Sequence, residues 1–362
     1  MERINLSSIK KESVRAIFTA ITAKDQISRA EIAEITGLSL MTVGKVVDAL
    51  LERSVISQCK EVRNMAGRRA GLVSLNTAKF FMILDLTSRS MSMTVMDLAL
   101  NIVDRVTYEY NHDFYYEENL YIFMKNVKIY ILRKLNMDDA VGIGVVLPGN
   151  YNAESDTVDA PRIPELSKTH VRAIIEDVLR TPVTTLEKDV VTAAASNLAD
   201  LTAENISNAV YVCIGETLSG ALISGGQLLH GKSGYAGDIG RFPTEHARGM
   251  NADYRNNGNA SGAKTLQALF DERGLREETV SALAEAIAYE ILLLSPDVVV
   301  IENCCGVIME TFRPLLTEKL SRITQTDTAD LPQIRILESG VRHAYRGLAL
   351  GMRSAWIQNE SK

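Results

Sequence analysis

The 362-residue chain has few cysteines, no long apolar run and only isolated histidines, and each absence removes a class of function. Its four cysteines, Cys59, Cys213, Cys304 and Cys305, show no paired spacing. The adjacent Cys304 and Cys305 do not suit a bridge to each other, so reduced thiols in a cytoplasmic protein are expected. No stretch of about 18 consecutive apolar residues occurs, which leaves nothing to span a membrane as a helix. The opening segment MERINLSSIKKESVRAIF carries charges where an export signal needs its apolar core, so export is not expected. The five histidines are scattered singly, which argues against a metal centre built on them.

What remains is an ordinary globular composition, 46% hydrophobic and 23% charged, long enough for two or three domains. The net charge of −6 is unevenly divided. Residues 1–76 hold 12 Lys+Arg against 8 Asp+Glu, a balance of +4, and the remainder holds 27 against 37, a balance of −10. The basic part is the part whose pattern suggests nucleic acid. In SRAEIAEITGLSLMTVGKVVDALLERSVI, apolar residues Ile32, Ala33, Ile35 and Leu38, then Val43, Val46, Val47 and Leu50, recur at helical spacing and predict a shared core. Ser28 and Glu31 stand at the spacing of a capping box, Gly37 supplies a tight turn, and Ser39 caps the next helix. Two short helices joined by a glycine turn, preceded by a bracing helix over 8–23, predict a helix-turn-helix. Residues 56–75, with NMAGRRAG between two apolar-tipped stretches, predict a two-stranded wing. The candidate DNA contacts are Ser39, Met41, Thr42 and Lys45 at the start of the second helix, for the major groove, and Arg68 and Arg69 near the wing tip, for phosphates or a narrow minor groove.

The rest reads as a duplicated α/β body with a cleft between its lobes. Three strands in FFMILDLTSRSMSMTVMDLALNIVDRVTYEY precede a helix over 118–135, the strand VGIGVVL and a helix over 168–179. A second set of three strands, at 209–214, 219–224 and QLLHG, precedes a glycine-rich loop and helices at 264–272 and 278–294. The strand DVVVIE, a helix at 306–321, a strand at 334–337 and a helix at 343–357 complete it. The expected boundaries are 1–76 for the reader, 77–188 for the first lobe and 189–362 for the second, with the C-terminal helix packing back on the first lobe.

GRRAGLVSLN, then VGIGVVLPGN, then GGQLLHGKSGYAGDIGRFP, in that order, resemble the ROK family of sugar-responsive repressors and sugar kinases. The resemblance implies a winged helix-turn-helix followed by a two-lobed, actin-like (ribonuclease H-like) ATPase body. It also implies a homodimer or tetramer, a double-stranded operator, and a sugar-derived effector that changes affinity for it. Where a family kinase has a glycine-rich phosphate hairpin, this chain has Asp85-Leu86-Thr87-Ser88-Arg89. The second phosphate loop reads Gly215-Glu216-Thr217-Leu218-Ser219-Gly220, and Glu216 opposes a polyphosphate. The adenosine-side glycines are replaced in Glu302-Asn303-Cys304-Cys305-Gly306. Asp189 matches the family's catalytic base, but with the phosphate contacts degraded, Asp189 and Asp85 are expected to be vestigial, with no kinase activity and no cofactor. The family's zinc site is not expected either, because Arg241 stands at its histidine position and no cysteine occurs between 214 and 303.

Through the same resemblance, Asp238 corresponds to an acidic sugar ligand. Lys188 and Arg162 replace asparagines, and Glu187 lies beside them. Arg162, Glu187, Lys188, Asp189, Asp238 and Arg241 are therefore the candidate effector contacts, with the new cations favouring an anionic sugar derivative. The alternative is that these cations pair with Glu187, Asp189 and Asp238 and close the site. Two further readings stay open: a sugar kinase carrying a DNA-binding appendage, and a DNA-binding dimer indifferent to metabolites.

Overall fold

The computed structural model describes residues 11–58, 71–215, 218–243, 266–267, 270, 274, 276–303, 309–338 and 342–358. Arg68, Arg69, Glu216, Cys304, Cys305 and the predicted helix at 264–272, apart from three of its residues, lie outside them. The chain divides into two compact units. One is made of Met1–Leu147, Ala153–Leu186 and Leu348–Lys362, the other of Pro148–Asn152 and Glu187–Gly347.

The first unit opens with α1 (Lys11–Thr22), β1 (Ile27–Ser28), α2 (Arg29–Thr36), α3 (Leu40–Glu52), β2 (Ile56–Gln58) and β3 (Leu72–Leu75). The three short strands form an antiparallel sheet in the order β1-β3-β2, with Ile27 opposite Val73 and Ile56 opposite Leu75. Ile17, Ile21, Ile27, Ile32, Val43, Val46, Val47 and Leu50 are buried among these elements. Ile35 departs from the predicted core and is 57% exposed. The short α2 turns only its Ile32 side fully inward, and Thr36 spends its hydroxyl on the Ile32 carbonyl, 2.7 Å away.

The chain continues with β4 (Phe80–Asp85), β5 (Met91–Asp97), β6 (Ile102–Tyr108), α4 (Tyr116–Lys134), β7 (Ala140–Leu147), the short β8 (Asn150–Asn152) and β9 (Thr157–Asp159), α5 (Val171–Leu179) and β10 (Thr185–Lys188), of which β4, β5, β6, β7 and β10 form a second sheet. Its order is β10-β7-β4-β5-β6, antiparallel along β4-β5-β6 and parallel between β4 and β7. Both faces of β4 are buried, as expected of a central strand read as FFMILD.

The second unit repeats this plan with α6 (Asp189–Ala203), β11 (Ala209–Ile214), β12 (Leu218–Ser224), β13 (Gln227–Leu229), α7 (Glu277–Leu294), β14 (Val298–Asn303), α8 (Met309–Thr324), β15 (Gln333–Glu338) and α9 (Arg342–Gln358). Its sheet runs β13-β12-β11-β14-β15, antiparallel along β11-β12-β13 and parallel along β11-β14-β15. The two sheets share one connectivity: a three-strand meander, then parallel strands added on the other side of its first strand. Val210, Val212, Ile214, Leu283, Ile287, Val299, Ile301, Phe312, Leu316 and Leu320 make the core between the second sheet and helices α7 and α8.

The contact division differs from a boundary at 76/77, because the N-terminal helices and short strands and the sheet that follows form one unit. The far end of α9 ties them together. Arg353 lies 4.6 Å over the Phe18 ring of α1 and donates to the Leu98 carbonyl at 2.8 Å. Arg53, at the end of α3, donates to the Ile357 carbonyl. Leu348 and Met352 press on β7 where Gly142 and Gly144 leave no side chain in the way. The division also places residues 148–152 with the second unit, where the Asn150 amide reaches the Ser233 carbonyl at 3.4 Å. No helix among the described residues is long and apolar enough to cross a membrane.

Candidate functional site

The first candidate is the outer end of α3. The Ser28 hydroxyl and the Glu31 carboxylate close the predicted capping box: Glu31 N donates to Ser28 Oγ at 3.2 Å, and Ser28 N donates to Glu31 Oε2 at 2.9 Å. These bonds, Ser28's backbone first, hold the Glu31 carboxyl down at about 2. Gly37 ends α2 at φ +68°, a left-handed conformation that a side chain resists. Ser39 then caps α3, its hydroxyl accepting from Thr42 N at 3.2 Å and lying 2.9 Å from Thr42 Oγ1. Leu40 and Met41 are 62% and 73% exposed, and Lys45 is exposed one turn on. Arg29 is held across α2 and α3 by Asp48 at 2.5 Å, so it braces the pair. The arrangement presents a hydroxyl, an apolar tip and a cation from one helix end over a rigid backing.

The second candidate lies in the second unit. Lys188 ends β10, and Asp189 begins α6. Asp238 stands in the turn after β13, where Gly237, at φ +76°, and Gly240 let the backbone lie against β12; a Cβ at 240 would press into the Leu218 carbonyl oxygen. One carboxylate oxygen of Asp238 accepts from Lys188 Nζ at 3.2 Å and from Arg241 Nε at 3.0 Å. The Lys188 and Asp238 side chains are 7% and 11% exposed, so this is a buried pair, while Arg241 lies half open with its guanidinium 4.5 Å over the Tyr235 ring. Glu187 faces the exposed His230 at 3.7 Å, and Asp189 Oδ1 accepts from Val190 N at 2.7 Å. Arg162 is exposed and belongs to the first unit, whereas Glu187, Lys188, Asp189, Asp238 and Arg241 all belong to the second. Among the described residues, no group of three or more His, Cys, Asp or Glu side chains is placed to hold a metal ion.

The kinase-like positions are engaged elsewhere. Asp85 Oδ1 accepts from both the backbone and the hydroxyl of Thr87, at 2.9 and 2.6 Å. Arg89 in the same loop pairs with Glu165 at 3.0 Å. At the end of β14, Glu302 is 3% exposed; it accepts from the Tyr211 hydroxyl and lies 3.4 Å from His343 Nδ1. Residues 304–308 lie outside the described residues.

One residue escaped the sequence reading. Glu290, in the otherwise apolar run AIAYEILLL of α7, is 4% exposed, and its Oε2 has no hydrogen-bond partner among the described residues. Burial, with Asp238 adding a like charge, pushes its carboxyl up to about 8. A lone carboxylate in an apolar helical run is the sequence signal that could have found it.

A duplicated five-stranded α/β sheet plan of this kind, each half a meander with parallel strands added, defines a protein of the actin-like, sugar-kinase fold class. Residues 83–248 match the sequence model of the ROK family. The xylose repressor of Bacillus subtilis (strain 168) is 24% identical over 249 residues, which cover 67% of this chain and 63% of that protein. The DNA-binding transcriptional dual regulator NagC of Escherichia coli (strain K12) is 25% identical over 247 residues, covering 67% and 59%. The matched stretch thus spans about three fifths of these relatives. A crystal structure of a ROK family transcriptional regulator, described as a homologue of the E. coli MLC protein, superposes with a TM-score of 0.68 at 15% identity and covers 97% of each chain. The ROK hexokinase of Thermus thermophilus superposes at 0.55 with 18% identity, covering 75% of this chain and 97% of that one.

Proposed function

We propose that the protein is a ROK-type transcription regulator, a repressor of carbohydrate uptake or catabolism genes. In this reading its winged helix-turn-helix reads a two-fold operator as a homodimer, and it has no kinase activity. The carrying observation is the outer end of α3: a capped helix start behind a left-handed Gly37, with Met41 and Lys45 exposed and the strands β2 and β3 following. A helix N-terminus so presented suits the major groove, with Thr42 and Met41 against base edges or a thymine methyl and Lys45 on a base or phosphate. Arg68 and Arg69 are assigned to the DNA backbone on the strength of the sequence. Two relatives of this chain, the xylose repressor of Bacillus subtilis and the DNA-binding regulator NagC of Escherichia coli, support the same reading.

The effector site is assigned to Lys188, Asp238 and Arg241, with Glu187 and Asp189 beside them. Lys188 and Arg241 share one carboxylate oxygen, and their N–H donors suit the oxygen acceptors of an anionic sugar derivative. The effector regulates by binding the DNA-competent and DNA-free forms with different affinity. Against phosphoryl transfer stands the Asp85–Arg89 loop, closed on Thr87 and Glu165 and without glycine.

In vitro selection of duplexes by the full chain should enrich a two-fold symmetric sequence. Lys45→Ala should weaken binding to it and reduce the slope of log affinity against log salt by about 1. Failure to enrich any duplex overturns the regulator reading, and hexose-dependent ATP turnover by the same preparation restores the kinase one.

A further inference from the structure

The loop between β6 and α4 is fixed from inside by one fully buried side chain, Asn119 of α4. Its Oδ1 accepts from the Tyr108 hydroxyl at 2.9 Å and from Asn111 N at 2.8 Å. Its Nδ2 donates to the carbonyls of Asn111, Phe114 and Tyr115 at 3.0, 3.1 and 3.0 Å. Glu118 reaches back to accept from Tyr115 N at 2.8 Å. A loop tied down in this way nevertheless leaves Phe114 exposed and Tyr115 81% exposed, so two aromatic rings are held in place at the surface. On the other side α5 packs against α4, with Lys128 Nζ donating to the Val178 carbonyl at 2.7 Å. The loop and the two helices frame a cavity of about 490 Å³, lined by the Phe114, Tyr115 and Tyr121 rings, by Glu117 and Glu118, and by Ile174 of α5. All of these residues belong to the first unit, and the volume is that of a small-molecule site.

The lining carries two carboxylates and no cation. Of the charges around it, Asp177 pairs with Arg180 at 2.8 Å and Glu176 with Arg172 at 3.1 Å, while His170 stands exposed before α5. Among the described residues neither Asp113 nor Glu117 has an ion-pair partner. Asp113, Glu117 and Glu118 outnumber Lys125 and Lys128, and the positive end of α4, worth about half a charge, does not reverse the sign. Ionised carboxylates only accept hydrogen bonds, and aromatic faces are electron-rich, so both favour a ligand that brings donors and positive charge. Lys125 shows the pairing at work, its Nζ lying 4.5 Å over the Tyr121 ring. We propose that this cavity is a second ligand site, for a small amphipathic organic cation. Its ammonium or guanidinium group sits against Glu117 and Tyr115, and its hydrocarbon body lies on Phe114 and Ile174. The assignment is independent of Lys188, Asp238 and Arg241, which belong to the second unit.

The test is titration of the full chain at pH 7 with phenylethylammonium, phenylethanol and phenylacetate, which share a body and differ in charge, followed by ligand-observed NMR. The cation should bind about tenfold more tightly than the alcohol, and the carboxylate most weakly. Glu117→Gln should weaken the cation about fivefold and leave the alcohol unchanged, and Tyr115→Ala should weaken both. Both side chains are exposed, so an unchanged thermal midpoint verifies that the variants are folded. Equal affinity for all three probes overturns the cationic class. Absence of binding by every probe, or binding that Tyr115→Ala leaves untouched, overturns the cavity as a site. Tighter binding of Nα-acetylarginine amide than of phenylethylammonium moves the occupant to a protein side chain and overturns the small-molecule assignment.

Discussion

Replacing Glu290 by glutamine should stabilise the protein at pH 8 and leave its stability near that of wild type at pH 5. The carboxyl stands at about 8 in the folded chain, against 4.5 for the ordinary group. The folded state therefore holds a proton that the unfolded state releases above 4.5, and wild-type stability declines as pH rises from about 4.5 to 8, then levels off. At about 1.4 kcal/mol per pH unit, the decline between pH 5 and pH 8 is at most about 3 to 4 kcal/mol. Glutamine has nearly the same shape and shares the lack of a partner, but it cannot ionise. The difference between the two proteins should therefore grow by about that amount over the window, while every other titrating group cancels. Hydrogen exchange of amides in α7, measured from pH 5 to 8 after correction for the intrinsic rate, reads the opening of this helix directly. Parallel stability curves for the two proteins would show that Glu290 is not a buried carboxyl held neutral by its surroundings.

Two other perturbations probe the frame around the sites. A Cβ on Gly347 of α9 would overlap the Thr192 carbonyl oxygen and lie 2.7 Å from its carbon and 2.9 Å from Ser196 N. Gly347→Ala should therefore force α9 and α6 apart, cost about 1–3 kcal/mol or more, and lower the thermal midpoint by several degrees. An unchanged midpoint would contradict the close helix crossing. Glu31→Gln should remove a contribution that is present above about 4.5 and lost as pH falls toward 2, since the folded-state carboxyl is held low by Ser28. The loss should be about 1 kcal/mol or less at pH 7, the scale of an exposed helix cap, and should shrink as pH falls through about 2. A penalty of equal size at both pH values would mean the cap does not depend on the charge.

The N-terminal helix pair was legible because its determinants are local. Ser28 with Glu31, Gly37, and Ser39 with Thr42 each act within four residues, and all three produce the caps and turn their spacing predicts. The duplicated sheet was legible for the same reason, since each meander is built from neighbouring strands. Ile35 shows where periodicity fails: a helix of eight residues has too few turns for its apolar positions to define one face. The contacts of Lys188 and Arg241 were harder to foresee. The sequence left open whether they would meet an anion or their own carboxylates, and the structure pairs both with Asp238. Glu290 was not legible at all as a neighbour of Asp238, because that proximity is produced by packing α7 on a turn some fifty positions earlier.

The far half of α9 has a consequence for biosynthesis. Leu348 and Met352 cover the glycines of β7, and Arg353 reaches Phe18 and Leu98, so the earliest-made elements wait for some of the latest. During translation the first sheet must stand with one strand face uncovered while the whole second unit is being synthesised. Assembly is thus completed by a long-range closure rather than one unit at a time, which is the kind of contact that slows folding. A ribosome stalled before residue 348 should hold a nascent chain whose second unit can form and whose first cannot be finished.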